Sequence, residues 1–348
     1  MGKSPRSPQR TASMANRESL KADARPEERS PLRWGIILAG GDGVRLRSLT
    51  RFICGDDRPK QFCPLLGEGT LLSNACERAE RSVRSEQILV AVTKAHQDYY
   101  LRDLGHRPCH RIVQPSNKGT APAIAYSLLN IAQAHSDATV AILPCDHYYS
   151  DERLFTLALE SAFEIAEIRP RSIVLLGAKP NGPEVEYGWI EVGATIDGKL
   201  SHVRGFHEKP PLPVAECLLN SGGLWNTFVM VGRVDAFLEM ARSAVPGLIE
   251  VFELATRGSQ RNGETRISDS LYDWVSPTDF SRQILSPAAR RLVALRLENI
   301  EWHDLGDPDR VLSTLLARNT ELPSWARRWH AAKIAAGGST PRSQSAVA

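Results

Sequence analysis

The sequence predicts an α/β fold, a mostly parallel mixed sheet with helices on both faces. Two observations predict it. Short runs rich in aliphatic and β-branched residues alternate with segments of helical spacing, and two of those runs, ending at Leu38 and Leu143, stop directly ahead of clustered polar residues. Such alternation builds repeated β-α-β units, which cover both faces of a parallel sheet and gather ligands at the carboxyl ends of its strands.

In order, strands are expected at Trp34–Leu38, Ile88–Val92, Ile112–Val113, Thr139–Leu143 and Ser172–Gly177. Amphipathic helices fall between most of them, at Leu71–Arg81, Ala95–Leu104, Ala121–Ala134 and Leu154–Ile168. Beyond Gly177 the strands shorten to Gly188–Val192, Ser201–Phe206 and Thr227–Gly232, with helices Val214–Leu219 and Asp235–Ala244 interleaved. This later half is expected to close over the first. The polar stretch 258–265 reads as a mobile loop, Leu292–Leu297 as a last strand, and a helix begins near Pro308.

The chain has 348 residues, 42% of them hydrophobic and 24% charged, enough for a substantial core. Residues 1–31 hold seven Lys/Arg and four Asp/Glu, which accounts for the whole net charge of +3. That segment has almost no large apolar residues and is expected to be a disordered basic tail. The folded part is expected over 32–330, divided into halves 32–177 and 178–318, with 331–348 a flexible C-terminal tail. The balanced charge of the body argues against nucleic acid as a main partner. No apolar run is long enough to span a bilayer, so no membrane association and a cytoplasmic location are expected. Six cysteines lack C-x-x-C spacing, which suits free thiols and not zinc. Cys145 reads as a buried small residue rather than a nucleophile.

The residues with chemical potential are distributed along the chain. Leu38-Ala-Gly-Gly-Asp-Gly-Val-Arg-Leu46 carries three glycines, Gly40, Gly41 and Gly43, and then Arg45. Glycines let backbone N–H groups approach an anion and Arg45 adds planar charge, although the same composition also suits a ligand-free turn. Leu46 stands where G-x-G-x-x-G needs its third glycine, and no P-loop string occurs. Lys60, behind Pro59, could reach the same anion or be an ordinary loop lysine. Asp146 projects past a buried strand, suited to a hard metal or to a turn; Asp304 is a second acid that could complete a metal site with it. His147 reads equally as a loop-holding or a proton-transferring residue. Glu208 and Lys209, adjacent at a strand end, need different partners: a sugar hydroxyl for one, a phosphate for the other, or solvent for both. Tyr187, Gly188, Trp225 and Asn226 have the aromatic and amide character that holds a sugar, though Trp225 also suits the core.

Taken together the motifs resemble those of the sugar-1-phosphate nucleotidyltransferases, and within them the mannose-1-phosphate guanylyltransferases. The segments that carry the resemblance are 38–46, Pro59-Lys-Gln-Phe62, Thr120-Ala-Pro-Ala-Ile-Ala125, Leu143-Pro-Cys-Asp-His147, Tyr187-Gly-Trp-Ile190, Phe206-His-Glu-Lys-Pro210, Trp225-Asn226 and Trp302-His-Asp-Leu-Gly306. It covers residues 34 to about 318. The resemblance implies a Rossmann-like nucleotide-diphospho-sugar transferase fold, with 32–177 binding nucleotide and 178–318 binding sugar phosphate. It implies in-line attack of mannose 1-phosphate on the α-phosphorus of GTP, giving GDP-mannose and pyrophosphate.

By the same resemblance, Arg45, Lys60 and Lys209 are catalytic, while Leu38, Gly40, Gly41, Gly43, Gln114, Gly119 and Thr120 bind nucleotide. Tyr187, Gly188, Glu208, Lys209 and Asn226 surround the sugar phosphate, and Asp146 and Asp304 hold Mg²⁺. Some positions depart from the family pattern. Gln114 stands where many members have Glu, Gly119 where Asn is usual, Glu186 where glycine is frequent and Thr227 where Ser follows Trp-Asn. A glutamate accepts from guanine N1–H and its amino group, whereas glutamine offers a donor and an acceptor, so another nucleotide or hexose 1-phosphate is the alternative substrate pair. A non-catalytic paralogue that binds sugar nucleotide as a signal is the alternative of a different class. The chain stops soon after its last motif, so no isomerase activity is expected. A homo-oligomeric state stays open.

Overall fold

The computed structural model describes Gly2 and residues 32–67, 69–256, 263–318 and 321–335. The strands and helices of the first half follow in the expected alternation: β1 Arg33–Leu38, α1 Arg47–Cys54, α2 Leu71–Glu80, β2 Ile88–Thr93, α3 Gln97–Leu104, β3 His110–Gln114, α4 Thr120–Ala134, β4 Thr139–Pro144, the two-residue β5 Tyr148–Tyr149, α5 Glu152–Ile168 and β6 Ile173–Ala178. The second half adds β7 Gly188–Asp197, β8 Leu200–Glu208, α6 Leu212–Asn220, β9 Leu224–Arg233, α7 Val234–Ala244, α8 Pro246–Thr256, β10 Glu264–Arg266, α9 Asp269–Tyr272, β11 Leu292–Arg296, β12 Trp302–His303, α10 Pro308–Ala317 and α11 Ser324–Ala335.

Ten strands form one sheet in the order β10-β3-β2-β1-β4-β9-β6-β11-β8-β7, and the run β10-β3-β2-β1-β4 is parallel throughout. β9 enters antiparallel between β4 and β6. The later strands therefore extend the first sheet instead of closing over it as a second layer. β7 also pairs back to β9 through Trp189↔Trp225 and Ile190↔Leu224, so β9, β6, β11, β8 and β7 are hydrogen-bonded in a ring.

The period-two alternation of the strands explains the two cores. Ile37 of β1 packs on one face with Leu72, Ala75 and Ala79 of α2 and Phe155, Leu159 and Phe163 of α5. Trp34 and Ile36 face the opposite side, against Ile124 and Leu128 of α4 and Phe237 of α7. Strands covered on both faces read as continuous apolar runs, which is why Ile88–Thr93 and Thr139–Pro144 are buried at every position. A third cluster joins Leu46 and Leu49 to Val311, Leu312 and Leu315 of α10 and Trp325 of α11, holding the chain after the glycine turn against the last helices.

Several elements depart from the sequence expectation. α1 follows the glycine turn with no side-chain N-cap and buries only Leu49 and Thr50, so its sequence gives little signal. α8 begins on Pro246, an ordinary first-turn residue, and buries Leu248, Ile249 and Phe252. Within the stretch expected to be a loop, residues 258–262 lie outside the described residues, while Glu264–Arg266 pairs with β3 as a parallel edge strand. α11 runs to Ala335, past residue 331 where the C-terminal tail was expected to begin; 336–348 and nearly all of 1–31 lie outside the described residues. No described helix is long and apolar enough to cross a membrane.

Candidate active site

Leu38 of β1 pairs in register with Pro144 of β4, so the turns that follow these strands leave the sheet side by side. A cavity of about 460 Å³ opens there, at the edge where open α/β sheets bind ligands. The glycine turn is held by its carbonyls. Gln61 Nε2 donates to Ala39 O at 3.0 Å and Gly41 O at 2.7 Å, and Thr93 Oγ1 donates to Gly40 O at 2.9 Å. A Cβ on Gly40 would lie 3.0 Å from Thr93 Oγ1 and 3.2 Å from Gln114 Nε2, so this position stays bare for packing reasons. Gly40 and Gly41 line the cavity with Leu38 and Arg45. Gly43 does not: it has φ 59°, and a Cβ there would lie 2.8 Å from Lys60 N, so its glycine serves the approach of Pro59–Lys60.

Lys60 sits behind the wall. Its Nζ is 2.9 Å from Asp146 Oδ2 and donates to the carbonyls of Asp304 and Leu305 at 3.2 and 3.0 Å. The short antiparallel pair β5–β12, Trp302↔Tyr149 and His303↔Tyr148, carries Asp304 to the side of Asp146. Asp304 Oδ1 accepts from Arg310 Nη1 at 2.6 Å, from Gly306 N at 3.0 Å and from Tyr187 Oη at 3.4 Å. Arg310 also donates to Glu184 Oε2 at 3.1 Å and lies 4.8 Å over the Tyr187 ring. Burial alone would raise both aspartates, but the Lys60 ammonium holds Asp146, and the Arg310 guanidinium with Lys60 holds Asp304, below the ordinary carboxylate value. Both are ionised at neutral pH.

His147 Nδ1 accepts the indole N–H of Trp302 at 3.2 Å. An indole only donates, so the imidazole proton sits on Nε2, which faces Asp146 Oδ1 at 3.7 Å. Burial lowers the His147 pKa and keeps the ring neutral. Of its two sequence readings, this geometry is that of a residue holding the Asp146 loop.

At the other end of the cavity, Gln114 is buried at the end of β3, and its Oε1 accepts from Tyr272 Oη at 3.0 Å. With the amide oxygen engaged, Nε2 is the atom turned toward Gly40. Gly119 has φ 93°, and a Cβ there would overlap the Thr278 carbonyl oxygen. That carbonyl accepts from Ala121 N at 3.1 Å, while Thr278 N donates to Lys118 O at 2.9 Å and Phe280 N donates to Thr120 Oγ1 at 2.9 Å. Gly119 thus lets the start of α4 dock on residues 278–280, a packing reason that its sequence position did not reveal.

The third side comes from the hairpin β7–β8, where Gly188 pairs with Glu208. A Cβ on Gly188 would lie 2.8 Å from Glu208 Oε2, so the glycine leaves room for that carboxylate. Burial, then Asp279, raises the Glu208 pKa. Tyr187 stands edge-on to Trp225, with ring centroids 5.0 Å apart, and 4.8 Å from Trp302. Trp225 is a core residue, whereas Asn226 lines the cavity and its Oδ1 accepts from Phe228 N at 3.1 Å. Lys209 is outside the wall, at its rim, beside Glu186. Among the described residues, the non-glycine positions with positive φ are Lys209, Phe228, Asn299 and Leu305, and all but Asn299 flank this cavity. Such backbone costs about 1–3 kcal/mol per residue and concentrates where a fold holds side chains in fixed positions for function.

Most residues singled out from the sequence thus meet around one cavity; Gly43, Lys60 and Lys209 support or border it, and Trp225 belongs to the core behind it. Sequence reasoning missed Gln61, Tyr272 and Arg310 as partners of the turn, of Gln114 and of Asp304. Gln61 lay inside the quoted Pro59–Phe62 segment; Arg310 had no local signal, since its role depends on the first turn of α10 meeting β12.

The family model described as nucleotidyl transferase matches residues 34–319. The chain belongs to the nucleotidyl transferase family. Among curated relatives, a protein of Xanthomonas campestris pv. campestris named xanthan biosynthesis protein XanB is 32% identical over 276 residues, 78% of this chain and 57% of that protein. A protein of Escherichia coli named mannose-1-phosphate guanylyltransferase is 27% identical over 282 residues, 78% of this chain and 59% of the relative. The chain therefore spans under two-thirds of the length of these relatives. Among solved structures, a Thermus thermophilus protein titled "mannose-1-phosphate geranyltransferase" superposes with a TM-score of 0.71 at 27% identity, covering 83% of this chain and 80% of the other. This member of the nucleotidyl transferase family thus shares its matched segment with proteins named for xanthan biosynthesis and for mannose-1-phosphate guanylyl transfer, and its mixed α/β architecture with the solved Thermus protein.

Proposed function

We propose that the protein transfers a guanylyl group from GTP to mannose 1-phosphate, giving GDP-mannose and pyrophosphate. The observation that carries the reading is the cluster Asp146–Lys60–Asp304 at the sheet edge, set between the buried Gln114 amide and the Glu208–Gly188–Asn226 wall. In-line displacement between two phosphate esters needs positioning and charge neutralisation, and no side-chain nucleophile. The glycine turn and Arg45 receive the triphosphate, the Gln114 end takes the base, and Glu208 with Asn226 takes sugar hydroxyls. Lys60 neutralises charge near the α-phosphate, and Lys209 at the rim meets the phosphate of the sugar.

The cavity wall holds five carboxylates, Asp146, Glu186, Glu208, Asp279 and Asp304, against one arginine, Arg45. A polyphosphate entering that wall needs a further countercation. Among the described residues no group of three or more His, Cys, Asp or Glu forms a metal cage, and two ionised aspartates with room for substrate oxygens suit Mg²⁺. Asp146 and Asp304 would hold it, and when bound it supplies charge neutralisation on phosphate oxygens.

The purified protein incubated with GTP, mannose 1-phosphate and Mg²⁺ is expected to release pyrophosphate, and removal of the metal by chelation is expected to stop it. Absence of turnover with every nucleotide and hexose 1-phosphate tried would reject the reading. One observation favours testing a second base: with its oxygen held by Tyr272, Gln114 offers a donor, which suits the keto oxygen of guanine and equally that of uracil or thymine. A matrix of nucleoside triphosphates against hexose 1-phosphates separates these.

A further inference from the structure

One carboxylate oxygen stands between two of the cations that this reading gives to phosphates. Glu186 Oε2 lies 3.7 Å from Arg45 Nη1 and 3.7 Å from Lys209 Nζ. The backbone at Glu186 is fixed, since its N–H donates to Glu184 Oε1 at 3.0 Å and Glu184 in turn is tied to Arg310 at 3.1 Å. The side chain is not: 52% of it is exposed, with solvent available to receive it if it swings away. Arg45 is the one arginine in a wall of five carboxylates, and the other cation at this rim, Lys209, is held in a positive-φ backbone at φ 50°. A single glutamate therefore occupies both cations that an incoming phosphate would need at this side of the cavity.

We infer that Glu186 is a displaceable internal anion, seated between Arg45 and Lys209 where a substrate phosphate must bind, and that it sets the affinity of the cleft for phosphorylated ligands. The inference rests on the proposed reading of the cleft as a nucleotidyl-transfer site. The ligand class is a phosphate monoester or a pyrophosphate, and the exchange is one of ion pairs: the carboxylate leaves Arg45 and Lys209 for water as phosphate oxygens take its place. Once displaced, Glu186 remains beside the bound phosphate and repels it through solvent. It weakens ground state and transition state alike, so its removal acts on KM and not on the chemical step.

The test compares wild type with Glu186→Gln and Glu186→Ala, reading both catalysis and binding. Glu186→Gln keeps the shape and deletes the charge. The KM for sugar 1-phosphate and the calorimetric Kd for inorganic pyrophosphate are expected to fall about threefold to tenfold, the range that two exposed, screened ion pairs supply, and kcat is not expected to rise. The gap from wild type is expected to narrow as salt is raised. Glu186→Ala is expected to match Glu186→Gln. An unchanged or raised KM and Kd in Glu186→Gln would overturn the inference, as would tightening in Glu186→Ala alone, which would mean that space and not charge is the obstacle. The pyrophosphate measurement needs no turnover: loss of all catalysis in wild type rejects the guanylyl-transfer reading, whereas unchanged pyrophosphate affinity in Glu186→Gln rejects the role of Glu186.

Discussion

Replacing Lys60 by Met tests the central cluster most directly. The substitution keeps the length of the side chain and deletes its charge, leaving Asp146 without the ammonium at 2.9 Å and the Asp304 and Leu305 carbonyls without their donor. Removing one partner of a buried ion pair costs about 3–5 kcal/mol, and because the Asp146 side chain is 28% exposed the lower end applies, about 3 kcal/mol with the carbonyl losses included. At about 2–4 °C per kcal/mol for a domain of this size class, Lys60→Met is expected to melt about 6–12 °C below wild type. Asp146→Asn removes the other charge, so the double variant is expected to regain about 1–2 kcal/mol of the summed losses, measured as a double-mutant cycle from denaturant unfolding. Pyrophosphate release is expected to fall about 10²–10³-fold in Lys60→Met, the size of one lost electrostatic interaction with the charge that develops at the reacting phosphate. Additive losses within about 0.5 kcal/mol would refute the coupling on which the reasoning rests.

Gly119→Ala is expected to destabilise by more than about 3 kcal/mol, because it adds positive-φ strain to an overlap with the Thr278 carbonyl and threatens the Ala121–Thr278 and Thr278–Lys118 hydrogen bonds; urea unfolding checks it. Gly188→Ala places a Cβ 2.8 Å from Glu208 Oε2, so KM for the sugar phosphate is expected to rise more than KM for the nucleotide in steady-state kinetics. Asp146 and Asp304 have folded pKa values below their ordinary 3.8, so their contribution to stability is full above that value and is lost as pH falls through the lowered folded values. Asp304→Asn is therefore expected to flatten the acid limb of the melting temperature plotted against pH.

Much of the fold was legible because both faces of the parallel sheet are covered, which makes strands such as Ile88–Thr93 uniformly apolar and easy to separate from amphipathic helices such as Glu152–Ile168. What stayed hidden depended on contacts distant in sequence. The three-residue β10 exists because β3 offers it an edge, and α1 because α10 and α11 cover it. The site divides in the same way. Leu38, Asp146, Glu208 and Asn226 adjoin strand ends, and strand ends can be read locally. The glycines cannot be told apart from sequence alone: Gly41 lines the cavity with nothing within 4 Å of its added Cβ, while Gly43 answers to Lys60 N and Gly119 to Thr278. Arg310 lies 126 positions from Glu184, and no local pattern connects them.

The ring of pairings through β9 bears on how the protein can move. β9 is hydrogen-bonded to β4 and β6 of the first half and to β7 of the second, so the two halves share a strand instead of meeting across a linker. Swinging one half about the other would break a continuous ladder, which makes a hinged jaw an expensive way to trap substrate. Enclosure of the reactants is left to the turns at the sheet edge and to side chains such as Arg45 and Glu186, small parts moving against a frame that stays whole.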